Sequence, residues 1–139
     1  MRTEATIRGA VMVIGLAFAA PCAYACGFCV EDRVAAVYDH AVVEAATAQH
    51  RAVAFFAVEG DLKPDAASRR ALVAALEAGG GIRGSARVAL ENAACSIAYD
   101  PARVSLAQLT ARAGKPLAAR GLTLAALRVT DRLGELKEP

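Results

Sequence analysis

Apolar and polar residues follow two different periods along this chain, and the periods predict its helices and strands. Between positions 30 and 48, valine and alanine recur every three or four residues, which predicts one helix. The segment 51–60, RAVAFFAVEG, is short, apolar and ended by Gly60, so it predicts a buried strand. A second helix is expected to begin near Asp65 and to stop at the three glycines 79–81.

The second half of the chain has two more alternating segments and one more helix. Residues 85–92 and 95–100 alternate in polarity and predict two strands joined by a hairpin. Ser105 is the expected N-cap of a short helix that Gly114 ends, and 121–130 is the last strand.

This order of elements predicts an α+β, ferredoxin-like βαββαβ sandwich with an added N-terminal helix. In that arrangement a four-stranded antiparallel sheet carries two helices on one face. A polar, frayed tail is expected at the end. The predicted parts are a signal peptide (1–25), a Cys-x-x-Cys segment with its helix (26–50), the ferredoxin-like domain (51–131) and the tail (132–139).

The N-terminus is typical of a secretory signal. Arg2 and Arg8 give a weakly positive start, 9–21 is apolar, and AYA at 23–25 supplies the small residues of a cleavage site. The apolar run is short for a membrane-spanning helix, which needs about 20 residues. We therefore expect no stable membrane span in the mature chain. Cleavage after Ala25 predicts a periplasmic or secreted chain of 114 residues (139 minus 25).

Charge, composition and motifs give no support to two broad classes of function. The mature chain would carry a formal charge of +1, from 14 basic and 13 acidic residues, and it has no tryptophan, which gives no case for nucleic-acid binding. No nucleophile–base pair, glycine-rich phosphate loop or paired carboxylates stand at a plausible spacing, so no enzyme is predicted.

The stretch 81–109 resembles the second half of heavy-metal-associated domains, a family of small copper chaperones, copper-ATPase modules and mercury-binding proteins. The matching residues are Gly81-Ile82, Val88-Ala89-Leu90, Tyr99-Asp100-Pro101 and Val104-Ser105. The likeness covers roughly 53–130. It implies the ferredoxin-like fold and a soft-metal function.

The metal motif of that family is missing from its usual place. In the family, Met-x-Cys-x-x-Cys follows the VEG found here at 58–60, but this chain continues with DLKPDA, with Lys63 and Ala66 near the thiol positions. The Cys-x-x-Cys of this chain is CGFC, Cys26 to Cys29, about 30 residues earlier. The metal ligands therefore have to be sought there.

Three functions remain open for this thiol pair. Cys26 and Cys29 could clamp a soft metal, with Cu(I) expected and Zn or Hg also suited, and exchange it with a metal-donor or metal-acceptor protein. They could form a structural disulfide on a non-catalytic scaffold, which is the default state in an oxidising compartment without metal or reductant. Least favoured is a thiol–disulfide oxidoreductase, because only the removable signal precedes the motif.

Cys95 and His40 are also chemically suited to be metal ligands, but their positions in the predicted strand and helix argue against that role. Cys95 alternates with Ile97 and Tyr99 on the predicted core face, which favours a buried small hydrophobe. His40 follows Cys29 by eleven residues, about 16 Å along a straight helix, which is too far to share an ion. His40 is therefore expected to be a solvated surface residue.

The cleavage prediction can be checked directly. We expect the intact mass of the exported protein to correspond to a chain that begins at Cys26 and carries no acyl group. A mass that includes the 25 N-terminal residues, or a lipid, would contradict it.

Overall fold

A five-stranded antiparallel sheet forms the middle layer of the protein. The computed structural model describes residues 29–139; the expected signal peptide and Cys26 lie outside the described residues. The strands are β1 (Ala52–Gly60), β2 (Arg87–Ala89), β3 (Ala94–Tyr99), β4 (Leu122–Thr130) and β5 (Leu136–Lys137), and the helices are α1 (Val30–Val37), α2 (His40–Ala48), α3 (Ala66–Ala78) and α4 (Leu106–Ala118). The strand order in the sheet is β2-β3-β1-β4-β5.

The α+β class and the order of elements are confirmed, and the architecture is compatible with a ferredoxin-like fold. The tail differs from the prediction, because part of it is a fifth strand beside β4. The Asp131 carboxylate accepts hydrogen bonds from the backbone N–H groups of Leu133 and Glu135 and pairs with Lys137 at 2.7 Å. These local bonds close the turn that brings β5 back onto β4.

The central strand β1 is covered on both faces. Ala54, Phe56 and Val58 face the core shared with α3 and α4, whereas Val53 and Phe55 face a second core shared with α1 and α2. The prediction placed the two helices of the ferredoxin-like domain on one face and assigned no face to the added N-terminal helix. The unbroken apolar run of this strand fits the observed arrangement, because a strand buried on both faces has no polar side to alternate with.

The predicted single helix over 30–48 is two helices. Tyr38 and Asp39 have extended backbone angles, and the Asp39 carboxylate accepts hydrogen bonds from the N–H groups of Ala41 and Val42. Asp39 is thus the N-cap of α2. A short acidic side chain can satisfy backbone donors locally, which competes with continuation of the preceding helix.

Helix α4 also differs from its predicted end at Gly114. The N-cap role of Ser105 is confirmed, and Gln108 completes a capping box with it, but the helix continues to Ala118 with Pro116 inside it. Gly114 lies where a Cβ atom would point into open space, with no neighbouring atom within 4 Å, so packing does not require a glycine there. Leu117 is buried together with Leu109, so the apolar face of the helix extends past the glycine and overrides its weak helix propensity.

The predicted strand 85–92 is reduced to the three residues of β2. Ser85 lies two residues before β2. Its hydroxyl donates a hydrogen bond to the carbonyl of Ile82 and accepts one from the N–H of Ala98. Side-chain hydrogen bonds therefore replace strand pairing at this point.

No helix in the region 29–139 is long and apolar enough to cross a membrane.

Acidification should weaken the attachment of α2. The Arg87 guanidinium, 2.7 Å from the Asp39 carboxylate, and the N–H of Val42 hold the pKa of that carboxyl below its usual range. A carboxyl whose pKa is lower in the folded than in the unfolded chain stabilises the fold above about pH 4, and loses that effect as the pH falls through the folded pKa. Denaturant unfolding between about pH 5 and pH 2 should therefore show a smaller loss of stability for Asp39→Asn than for the unsubstituted protein.

The matched control is Asp61→Asn, which removes an exposed carboxyl that makes no hydrogen bond with the described residues. Its pH dependence should follow that of the unsubstituted protein. Equal acid sensitivity of the Asp39→Asn variant and the unsubstituted protein would contradict the proposed contribution of the Asp39–Arg87 pair.

Candidate functional site

Helix α1, which follows the candidate thiol pair, lies across the strands instead of along them. Strand pairing places four residues from four strands side by side, and we name them the central row. They are Arg87 of β2, Ser96 of β3, Phe55 of β1 and Arg128 of β4.

Both ends of α1 contact the central row. Glu31 in the first turn accepts a hydrogen bond from Arg128 at 3.1 Å, and the carbonyl of Val37 at the last turn accepts one from the buried Ser96 hydroxyl at 2.9 Å. An eight-residue helix is about 12 Å long, and β4 and β3 lie two strand spacings apart, roughly 10 Å, so α1 is long enough to reach both. The start of α1 therefore lies over β4, on the β5 side of the sheet.

A β-bulge in β4 places Arg128 where it can reach α1. Phe55 pairs with Arg128 whereas the next residue, Phe56, pairs with Ala126, so Leu127 is an extra residue in the strand. Bulges bend a strand and re-aim its side chains. Leu127 packs in the core beneath α1 and α2, and the Arg128 side chain extends to Glu31.

Cys29 is the N-cap residue of α1 and has an exposed thiol. Its backbone is extended, its carbonyl accepts the N–H of Arg33, and its side chain makes no capping hydrogen bond. The sulfur is therefore available to a metal or a second thiol. Cys26, the other predicted ligand, lies outside the described residues, three positions earlier in the chain.

The loop that would carry the metal in heavy-metal-associated domains lies elsewhere in the molecule. It follows Gly60, which lies five residues along β1 from Phe55 of the central row, roughly 17 Å at about 3.3 Å per residue. The loop begins α3 on the opposite face of the sheet, and its Asp65 carboxylate accepts the N–H of Ser68 at 2.7 Å. Cys29 and this loop thus occupy different places on the sheet.

Cys95 is part of the core, as predicted. Its side chain is fully buried on the sheet face covered by α3 and α4, opposite to α1. Burial raises the pKa of the Cys95 thiol to about 12. A neutral, enclosed thiol on the far face cannot join Cys29 on one ion.

His40 lies on the exposed surface at the start of α2. His40 starts α2, its side chain is 82% exposed, and its Nε2 atom is 4.0 Å from a carboxylate oxygen of Glu44, so its predicted surface position is confirmed. Within residues 29–139, no three or more His, Cys, Asp or Glu side chains group to hold a metal. Metal binding at Cys29 would therefore depend on Cys26 or on a ligand from another molecule.

An apolar groove, which no sequence pattern predicted, is lined by Val30, the residue after Cys29. It has a volume of about 460 Å³ and runs between α1 and the β4–β5 edge. Val30, Val34 and Tyr38 line its helix side, and Arg128 of β4 and Leu136 of β5 line its strand side. The fifth strand therefore contributes part of its wall. We name this the α1 groove.

In comparisons with protein-family models, curated proteins and solved structures, none matches the chain. The resemblance to heavy-metal-associated domains therefore stays a prediction from the motifs in 81–109.

The different environments of Cys29 and Cys95 predict selective labelling. In the reduced native protein, iodoacetamide at pH 8 should modify Cys29 and leave Cys95 unmodified, because burial keeps the Cys95 thiol neutral and enclosed. Peptide mass mapping identifies the modified residues. Protein unfolded in guanidinium should react at both, and equal native rates would contradict the burial of Cys95.

Proposed function

We propose that this chain is an exported soft-metal-binding protein that holds Cu(I), or alternatively Zn or Hg, through Cys26 and Cys29. The proposal includes a signal peptide over 1–25, a periplasmic or secreted location and a ferredoxin-like domain of the heavy-metal-associated type. The observation that carries it is the Cys29 thiol, which is exposed at the first turn of a helix and makes no capping hydrogen bond.

The residues suit the chemistry of a soft ion. Thiolates are the ligands that Cu(I) prefers, and two of them separated by two residues can meet one ion. If cleavage follows Ala25, the free amine of Cys26 is a further donor beside its own sulfur. These donors belong to one short segment, so binding does not require the loop after Gly60.

The anchoring of α1 favours a metal site over a structural disulfide. Val34 and Val37 are buried against the sheet, and hydrogen bonds from Arg128 and Ser96 hold both ends of the helix. The helix is thus fixed by its own contacts. A disulfide that encloses only two intervening residues removes little chain entropy and would add little to this anchoring.

The position of Cys29 also suits metal exchange with another protein. The thiol is exposed, and the next residue, Val30, lines the α1 groove, whose apolar walls could contact a metal donor or acceptor. A ligand pair at the surface can pass an ion between proteins, whereas an enclosed site would retain it.

A competition titration tests the proposal. Reduced mature protein should take Cu(I) from a chromogenic chelator with one equivalent per chain. Cys26→Ser and Cys29→Ser should each weaken binding by more than the 10–100-fold typical of groups that only support the ligands. Cys95→Ala is the matched control, since it removes a buried thiol from the opposite face.

Equal Cu(I) affinity in the parent and both serine variants would contradict the metal site. Reduction of insulin by the metal-free protein would instead support the oxidoreductase alternative. Loss of thermal stability in the serine variants, with their metal content unchanged, would support the structural disulfide.

A further inference from the structure

A cavity of about 670 Å³ opens at the end of the sheet where β1 begins and β3 and β4 end. We name it the sheet-end cavity. It lies at the end of β1 opposite to Gly60, and none of its lining residues borders the α1 groove. Three basic side chains line it: His50, Arg51 and Arg132.

The positive charge of the cavity is not neutralised by its surroundings. Neither Arg51 nor Arg132 forms an ion pair or a side-chain hydrogen bond with any residue in the described part of the chain. Asp131 is the one carboxylate in the lining, and it is already paired with Lys137 at 2.7 Å. Two guanidinium groups are thus left to attract an anion.

His50 adopts a backbone conformation that a glycine would adopt more easily. It closes α2 with φ 55°, while its N–H donates to the carbonyl of Thr47 and the N–H of Arg51 donates to that of Ala46. This pattern is a Schellman motif, in which glycine usually holds the left-handed position. The chain keeps an imidazole at the rim of the cavity despite the conformational cost, as functional sites often do.

The remaining lining is largely apolar. Val129, Ala52 and Pro101 contribute hydrocarbon surface, and the Tyr99 side chain is only 4% exposed. Burial raises the pKa of the Tyr99 hydroxyl, so this side chain adds no negative charge to the cavity. A largely apolar wall with a few convergent polar groups is the usual composition of a small-molecule site, and the volume lies in the usual range.

We propose that the sheet-end cavity binds a small organic molecule that carries an oxyanion, either a carboxylate or a phosphate. Arg51 and Arg132 hold the oxyanion, because a guanidinium matches both groups with two parallel hydrogen bonds. His50 adds a further donor at the rim, and the apolar body of the ligand packs on Tyr99 and Val129. The site involves none of the cysteines and stands independently of the proposed metal function.

Nuclear magnetic resonance titration of the ¹⁵N-labelled chain tests this site. Inorganic phosphate and benzoate serve as probes at constant ionic strength. We expect saturable shifts confined to residues 50–52, 99–102 and 129–132 with at least one probe. Tighter binding of benzoate would identify the oxyanion as a carboxylate on an apolar body, and tighter binding of phosphate would identify it as a phosphate.

Substitutions separate a specific site from general attraction to positive charge. Arg51→Ala and Arg132→Ala should each weaken binding about tenfold or more, the usual loss for a charge-assisted hydrogen bond. Arg70→Ala, which removes an exposed arginine on α3, should leave the affinity unchanged. Shifts that do not saturate, or equal losses in all three variants, would overturn the proposal.

A second substitution tests His50 without risk of unfolding. His50→Gly should raise the thermal unfolding midpoint, because glycine adopts positive φ at little cost, and should weaken binding of the same probe. A more stable variant with unchanged affinity would overturn the role of His50. A purely structural residue at this position would change stability alone.

Discussion

The burial of β1 on both faces is the constraint on which the rest of the structure depends. Phe55 and Phe56 are adjacent in the chain, fully buried, and belong to two different cores. Helices α3 and α4 cover only one of these faces, so Phe55 would be exposed without α1 and α2. Removing an aromatic side chain of this size from water stabilises a fold by roughly 1.5–3 kcal/mol. The N-terminal helices are thus an integral layer of the domain.

The covering layer also determines where chemistry can occur. The attachment of α1 across the central row sends its first residue to the β4–β5 side of the sheet, where the Cys29 thiol is exposed. The end of α2 returns the chain to β1 through His50 and Arg51, which places these side chains at the sheet-end cavity. One pair of helices therefore supplies residues to both candidate sites.

The two proposed sites use different physical properties. At Cys29 the relevant features are an exposed sulfur and a neighbouring apolar groove, which suit a soft ion and a protein partner. At the sheet-end cavity the relevant features are unpaired cationic groups over an apolar wall, which suit a small anion. Cys95 belongs to neither site, because its burial between the sheet and α3 and α4 makes it a packing residue.

The sequence by itself determined the order of elements, the α+β class, the start of α3 near Asp65, the capping role of Ser105 and the burial of Cys95. These follow from periodicity and from hydrogen bonds between residues close in the chain. Only the tertiary structure decided that α1 and α2 are separate helices on the second face, that the tail forms β5, and that Cys29 lies away from the loop after Gly60. The α1 groove and the sheet-end cavity likewise combine residues that are distant in sequence. Such features depend on packing between elements, which a local pattern does not encode.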